Sequence, residues 1–284
     1  MLRLPVPVVL LALLLAASQG TAFWCPMHPN ERAASAIPCP VCRMTMVPIP
    51  PVRVGEYVMS VELRPRADGR GASGLSLILL LPGGLERVRE FDIVHEQPVH
   101  VFVIDRTLEN FAHVHPDRPT ADRFDVELAL PPGEFMVVAD FTPAGGPPQT
   151  LQRVVIAPGA NPSAALRVPV LRETPRRVPA SGLIVTLEGE LTAGKTDTLT
   201  FSFTDSETGG PPRDLEPYLG APAHLVAASA DLTDVQHAHP EDPAGPSRQV
   251  AFDVTPARAG AYKLWLQLQQ GGKVVTVPFV LTAR

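Results

Sequence analysis

Two residues separate Cys25 from His28, two separate Cys39 from Cys42, and ten lie between His28 and Cys39. A two-residue spacer lets both side chains of a tight turn point at one ion. Cys-x-x-His followed by Cys-x-x-Cys therefore suits a tetrahedral site of three thiolates and one imidazole. The 29 residues from Phe23 to Pro51 are too few to bury a core, so bound metal has to hold them together. Pro26, Pro29, Pro38, Pro40 and Pro48 disfavour helix and stiffen the turns. Three thiols, all within this segment, exclude a disulfide framework stapling the larger part of the chain. The competing reading is a Cys39–Cys42 disulfide with Cys25 idle, but the βαβ pattern that accompanies a redox Cys-x-x-Cys is missing.

Histidine supplies the second chemistry. His100 leads after 13 residues to His113, then His115 and Pro116; His224 leads after 13 to His237, then His239 and Pro240. Downstream, Gly133-Glu-Phe135 through Phe141 matches Gly260-Ala-Tyr262 through Leu268, so two copies of one domain follow the cysteine segment. A residue before proline is pushed toward extended backbone, and extended residues two apart face one side. His113 with His115, and His237 with His239, can then converge with His100 or His224 on Cu(II) or Zn(II). The alternative is a structural corner shared by both copies. Leu219 occupies the second copy's counterpart of His95, which makes His95 at most a ligand private to the first copy. With Glu96 beside it, the first copy is expected to bind more tightly, and binding should fade near the ordinary imidazole pKa of about 6.5.

Cys25-Pro-Met-His-Pro followed by Cys39-Pro-Val-Cys-Arg-Met-Thr-Met-Val-Pro48 resembles the heavy-metal-binding domain at the N-termini of copper and silver efflux adaptors and some copper-transporting P-type ATPases. The resemblance covers about 24 residues. It implies Cys25, His28, Cys39 and Cys42 as ligands, with Met27 and Met44 as soft neighbours suited to Cu(I). Arg43 stands where that family usually has glycine, which would strain the second knuckle. Phe111-Ala-His-Val-His-Pro116, and Leu215-Glu-Pro-Tyr-Leu-Gly220 ahead of His224, resemble secreted immunoglobulin-like domains of the YtkA-like kind. That resemblance spans most of residues 55–284 and implies a fold more than a function.

The elements that must position these residues read as strands. Short apolar or alternating runs occur at 57–63, 75–81, 99–104, 124–130, 135–141 and 151–156, and again at 183–187, 198–203, 224–228, 250–254, 262–269 and 274–281. Glycine-proline turns separate them at the interval of antiparallel sandwiches. No window supports a long amphipathic helix. The expected fold is all-β: two tandem immunoglobulin-like sandwiches, at 51–157 and 182–284, behind a metal-stabilised module at 23–50, with a proline-rich spacer at 158–181. His113, His115, His237 and His239 are expected where a sandwich keeps its loops, and His100 and His224 on strands. Residues 1–22 combine a positive start, an apolar run from Val6 to Ala17 and a small-residue stretch, as a cleaved secretory signal does. An uncleaved anchor is the alternative.

A net charge of -5 leaves no basic stripe for nucleic acid. No later run reaches 18 apolar residues, so no membrane span is expected after signal removal. No nucleophile elbow, phosphate loop or supported carboxylate pair is present, so an enzyme is not expected, with copper redox activity left open. These features suggest a periplasmic or secreted protein that binds copper or zinc for envelope buffering, delivery or resistance, with an envelope metal transporter or cuproprotein as partner. The alternative is a structural or interaction protein whose immunoglobulin-like domains bind a partner behind a zinc-stapled N-terminus.

Overall fold

The computed structural model describes residues 23–25, 27–28, 31–48, 56–120, 122–161, 168–240 and 248–284. The signal-peptide reading falls outside them. Secondary structure among the described residues is all strand, as the turn-punctuated sequence requires. Among the described residues no helix is long and apolar enough to cross a membrane.

The cysteine segment forms a small sheet from β1 (Phe23–Trp24), β2 (Arg32–Ala33) and β3 (Val47–Pro48), in the order β2-β1-β3. Its buried interior is Cys25, Cys39, Cys42 and Met46. An interior of three cysteines and one methionine buries little apolar area, so packing alone gives this segment little stability.

The first copy runs β4 (Val58–Pro65), β5 (Ala72–Leu80), β6 (Phe91–Asp92), β7 (Val99–Asp105), β8 (Phe111–Val114), β9 (Asp117–Thr120), β10 (Arg123–Leu130), β11 (Gly133–Pro143) and β12 (Gln149–Ala157). Its sheets are β4-β5-β10-β9 and β12-β11-β7-β8, with β6 pairing β11. That is the immunoglobulin-like arrangement of two antiparallel sheets with Greek-key crossovers. Leu75, Leu77, Val101, Val103, Phe124 and Val137 fill the space between them.

The second copy repeats the plan. β13 (Arg177–Ala180), β14 (Leu183–Glu188), β15 (Asp197–Asp205) and β19 (Gln249–Val254) form one sheet. The other holds β16 (Leu215–Glu216), β17 (His224–Ser229), β18 (Val235–Ala238), β20 (Gly260–Gln270) and β21 (Lys273–Ala283). Arg177–Ala180 pairs with Leu183–Thr186, so the end of the stretch read as a spacer is a strand of this sandwich. Val178 and Ala180 pack on its core, which is why the proline-rich sequence is held there.

The two copies meet through the outer faces of their second sheets. Alternation sends Val101 and Val103 into the first core and turns His100, Phe102 and Ile104 outward. In the second copy Leu225 and Ala227 point inward while His224, Val226 and Ala228 face out. Phe102, Ile104, Leu108 and Val138 then form one buried cluster with Val226, Leu232, Val235 and Trp265. Phe111 stacks on Trp265 with ring centroids 4.7 Å apart. His113 and His237 were expected in loops; they lie on β8 and β18, short strands that edge these sheets.

Candidate metal centres

In the N-terminal module, turns place the donors. The Cys25 carbonyl accepts from the His28 amide and the Cys39 carbonyl from the Arg43 amide, closing both knuckles. Cys25, His28, Cys39 and Cys42 offer donor atoms that all lie within 4.8 Å of one another. The Cys25 and Cys42 sulfurs are 3.3 Å apart, and His28 Nδ1 is 3.7 Å from the sulfurs of both Cys25 and Cys39. A tetrahedral ion with ordinary Zn–S and Zn–N bonds spaces two sulfurs by roughly 3.8 Å and a sulfur and a nitrogen by roughly 3.6 Å. The donors fit one such ion. All three cysteines are free thiols, so the structure does not contain the alternative Cys39–Cys42 disulfide.

Burial pushes the Cys25 and Cys42 thiols up and lowers His28. At Cys39 burial also opposes the thiolate, but the amides of Cys42 and Val41 offset it and leave this thiol below its ordinary value. Cys39 is thus the thiolate most readily formed. Met27 and Met44 pack against the cluster, half-buried, and Met46 is more deeply buried than either. Arg43 adopts φ 62, the left-handed conformation that glycine takes without strain.

His100, His113 and His115 come together in the first copy. The nitrogens His100 Nδ1, His113 Nε2 and His115 Nε2 lie 3.1 to 3.2 Å from each other. Tetrahedral coordination at about 2.05 Å would space them by roughly 3.3 Å. His100 Nε2 donates to the Val94 carbonyl at 2.9 Å, and His113 Nδ1 donates to Gln267 Oε1 at 2.7 Å. Those outer bonds fix the tautomers, so both inner nitrogens present lone pairs to one point. Outer acceptors orient metal-binding imidazoles in this way.

The second copy mirrors the device. His224 Nε2 donates to the Tyr218 carbonyl at 2.9 Å, and His237 Nδ1 donates to Asp140 Oδ2 at 2.8 Å. His224 Nδ1 and His237 Nε2 then face each other at 3.3 Å, both lone pairs turned inward. Asp140 pairs with His100 across β7 and β11, and Gln267 with His224 across β17 and β20. They are therefore the same position in the two copies. Each copy orients the other's histidine, one with a carboxamide and one with a carboxylate. Neither residue was singled out from the sequence, although each is a polar interruption in an apolar strand.

Two expectations change here. His224 does not complete a compact set with His237 and His239; among the described residues that second set is Asp140, His237 and His239. His95 is not private to the first copy. It sits in a two-residue turn with Glu96, both at positive φ, between the bridged residues Val94 and Gln97. Leu219 and Gly220 make the matching turn in the second copy, and a Cβ on Gly220 would lie 3.4 Å from Glu96 Oε1. The two turns abut. The His95 ring lies 4.7 Å from His224 and 4.9 Å from His239, against 6.3 Å from His100. The Nε2 atoms of His95 and His239 are buried without a hydrogen-bond partner.

Burial dominates the electrostatics. It lowers His95 and His115 to about 4 and His113 to about 2, and takes His224, His237 and His239 well down. Burial likewise raises Asp140 to about 7. These imidazoles are therefore neutral at pH 7.

Residues 22–49 match the family described as heavy metal binding domain. Residues 177–284 match a domain of unknown function, DUF8832. No curated protein matches the chain. Among solved structures, the Escherichia coli adhesin FdeC is 16% identical over 84% of this chain and 68% of its own, with TM-score 0.25. A two-domain fibronectin type-III segment of chicken tenascin is 12% identical over 81% and 98%, with TM-score 0.21. The FN1–FN3 domains of chicken CNTN1 are 10% identical over 81% and 65%, with TM-score 0.22.

Proposed function

We propose that this is an exported metal-binding protein, with copper its main cargo, serving envelope buffering, delivery or resistance. The observation that carries the reading is the convergence of Cys25, His28, Cys39 and Cys42 in a segment matching the heavy metal binding domain. Thiolates flanked by Met27, Met44 and Met46 suit Cu(I), the softest common cargo. The cluster of His100, His113 and His115, and that of Asp140, His237 and His239, suit Cu(II) or Zn(II). In this reading the histidines are ligands whose tautomers are preset by Val94, Gln267, Tyr218 and Asp140. An envelope transporter or a cuproprotein would exchange cargo with the module, whose donors are held by two short turns.

Elemental analysis of the mature protein, purified from its native envelope under anaerobic conditions, tests the reading. Copper at one or more equivalents per chain is expected. Protein recovered from that compartment without any d-block metal would overturn it.

A further inference from the structure

We infer that the two histidine sets form a single binuclear chamber between the copies, in which two borderline d-block ions interact directly. The inference rests on the reading of these histidines as ligands. It goes further by making them one centre instead of two.

Within a copy, ring centroids lie 5.4 Å apart for His100 and His113, and 5.6 Å for His224 and His237. Across the copies the separations are the same: 5.4 Å for His100 and His237, and 5.8 Å for His113 with either His224 or His237. The Phe102 ring packs on a histidine of each set, 4.5 Å from His113 and 4.9 Å from His237. His95 crosses between them, carried by the first copy and packed on His224 and His239 of the second. Its buried, unpartnered Nε2 is a ligand atom awaiting an acceptor of its lone pair or a proton.

The outer bonds tie the halves together as well. The His113 ring is held by Gln267 of the second copy and the His237 ring by Asp140 of the first, so neither set is oriented without the other. Asp140 is the one carboxylate hydrogen-bonded to these rings among the described residues. Two divalent ions this close repel four times as strongly as two monovalent ions. The chamber therefore favours a Cu(II) pair sharing a bridging hydroxide, formed from a water molecule whose proton is released to solvent. Such a bridge couples the two unpaired electrons, and that coupling is measurable.

The test uses the full chain with Cys25→Ser, Cys39→Ser and Cys42→Ser, so that no thiol binds or reduces Cu(II). Copper is added in steps while bound copper and paramagnetic resonance spin count are followed. The expected course is an isolated Cu(II) signal at one equivalent. At two equivalents the spin count should fall below half the bound copper, with a half-field transition. His113→Ala/His115→Ala and His237→Ala/His239→Ala should each bind one copper with full spin count. The unmodified chain, its thiols first filled with one equivalent of Ag(I), should give the same course, which covers misfolding of the serine variant. Two bound coppers with full spin count would overturn the shared centre while leaving the histidines as ligands, and saturation at one copper would overturn the pair. Absence of binding would remove both this inference and the ligand reading of the histidines.

Discussion

Arg43 occupies a backbone conformation with φ 62 beside two candidate thiolate ligands. A non-glycine residue there costs on the order of 1 kcal/mol. Metal binding is coupled to folding in a segment this small, so that strain subtracts from affinity. Arg43→Gly and Arg43→Ala both remove the charge, but only glycine removes the strain. Chelator competition should find the glycine variant tighter than the alanine variant by about fivefold, the equivalent of roughly 1 kcal/mol. Equal affinities would show that the knuckle is unstrained. Asp140 is a second residue whose role can be isolated. As a carboxylate behind His237 it raises that ring's basicity, whereas Gln267 behind His113 adds no charge. The second copy should therefore bind more tightly, the reverse of the order expected from sequence. Asp140→Asn should weaken the second set by roughly 10- to 100-fold and leave His113 and His115 unaffected. Isothermal titration of the thiol-free chain reads both effects, and an unchanged second set would remove Asp140 from the design.

At the scale of the element, β7 and β17 were legible as strands, and their unusual burial was legible too. Val99 to Ile104 and His224 to Ala228 are apolar without alternation, apart from His100 and His224. Such runs indicate strands covered on both faces. One face is the sandwich core; the other proves to be the partner copy. β8 and β18 were not legible, because four residues containing histidine beside proline carry too little periodicity to separate a strand from a loop. Asp140 and Gln267 were missed because alternation reports which face a residue takes and cannot report what lies opposite. Trp265, 3% exposed and stacked on Phe111, is the largest apolar side chain in the shared face. Trp265→Ala should cost about 3 to 5 kcal/mol in urea unfolding. Leu85→Ala, at a site 93% exposed, should change stability by less than about 0.5 kcal/mol. A Trp265→Ala cost as small as that of Leu85→Ala would show that the copies do not pack through this face.

For the whole molecule, a chamber of buried neutral histidines makes acid a destabiliser of the metal-free protein. Each ring binds a proton in the unfolded chain near pH 6.5 but resists it when folded. Stability is therefore complete above that value and lost as pH falls below it. His95, lowered to about 4, accounts for on the order of 3 kcal/mol between pH 6.5 and 4. His100, His113, His115, His224, His237 and His239 act in the same sense. Asp140, raised to about 7, is the facing group that opposes them: its contribution is present at low pH and lost as pH rises through that value. The urea midpoint of the metal-free chain should fall between pH 7.5 and pH 5, and a flat midpoint would place the histidines in solvent. The sequence showed the duplication and the knuckles through spacing alone. That the copies share one chamber was hidden, because a repeat announces two similar units and is silent about how they pack.

Metal stoichiometry tests the central claim most directly. The reduced full chain is titrated anaerobically with Cu(I) beside the Cys39→Ser/Cys42→Ser variant, under chelator competition. The unmodified chain should hold one tightly bound ion that the variant lacks, since half of the converging donors at Cys25, His28, Cys39 and Cys42 are then gone. An unchanged tight-binding stoichiometry in the variant would contradict the account, because the module would then not be a metal site.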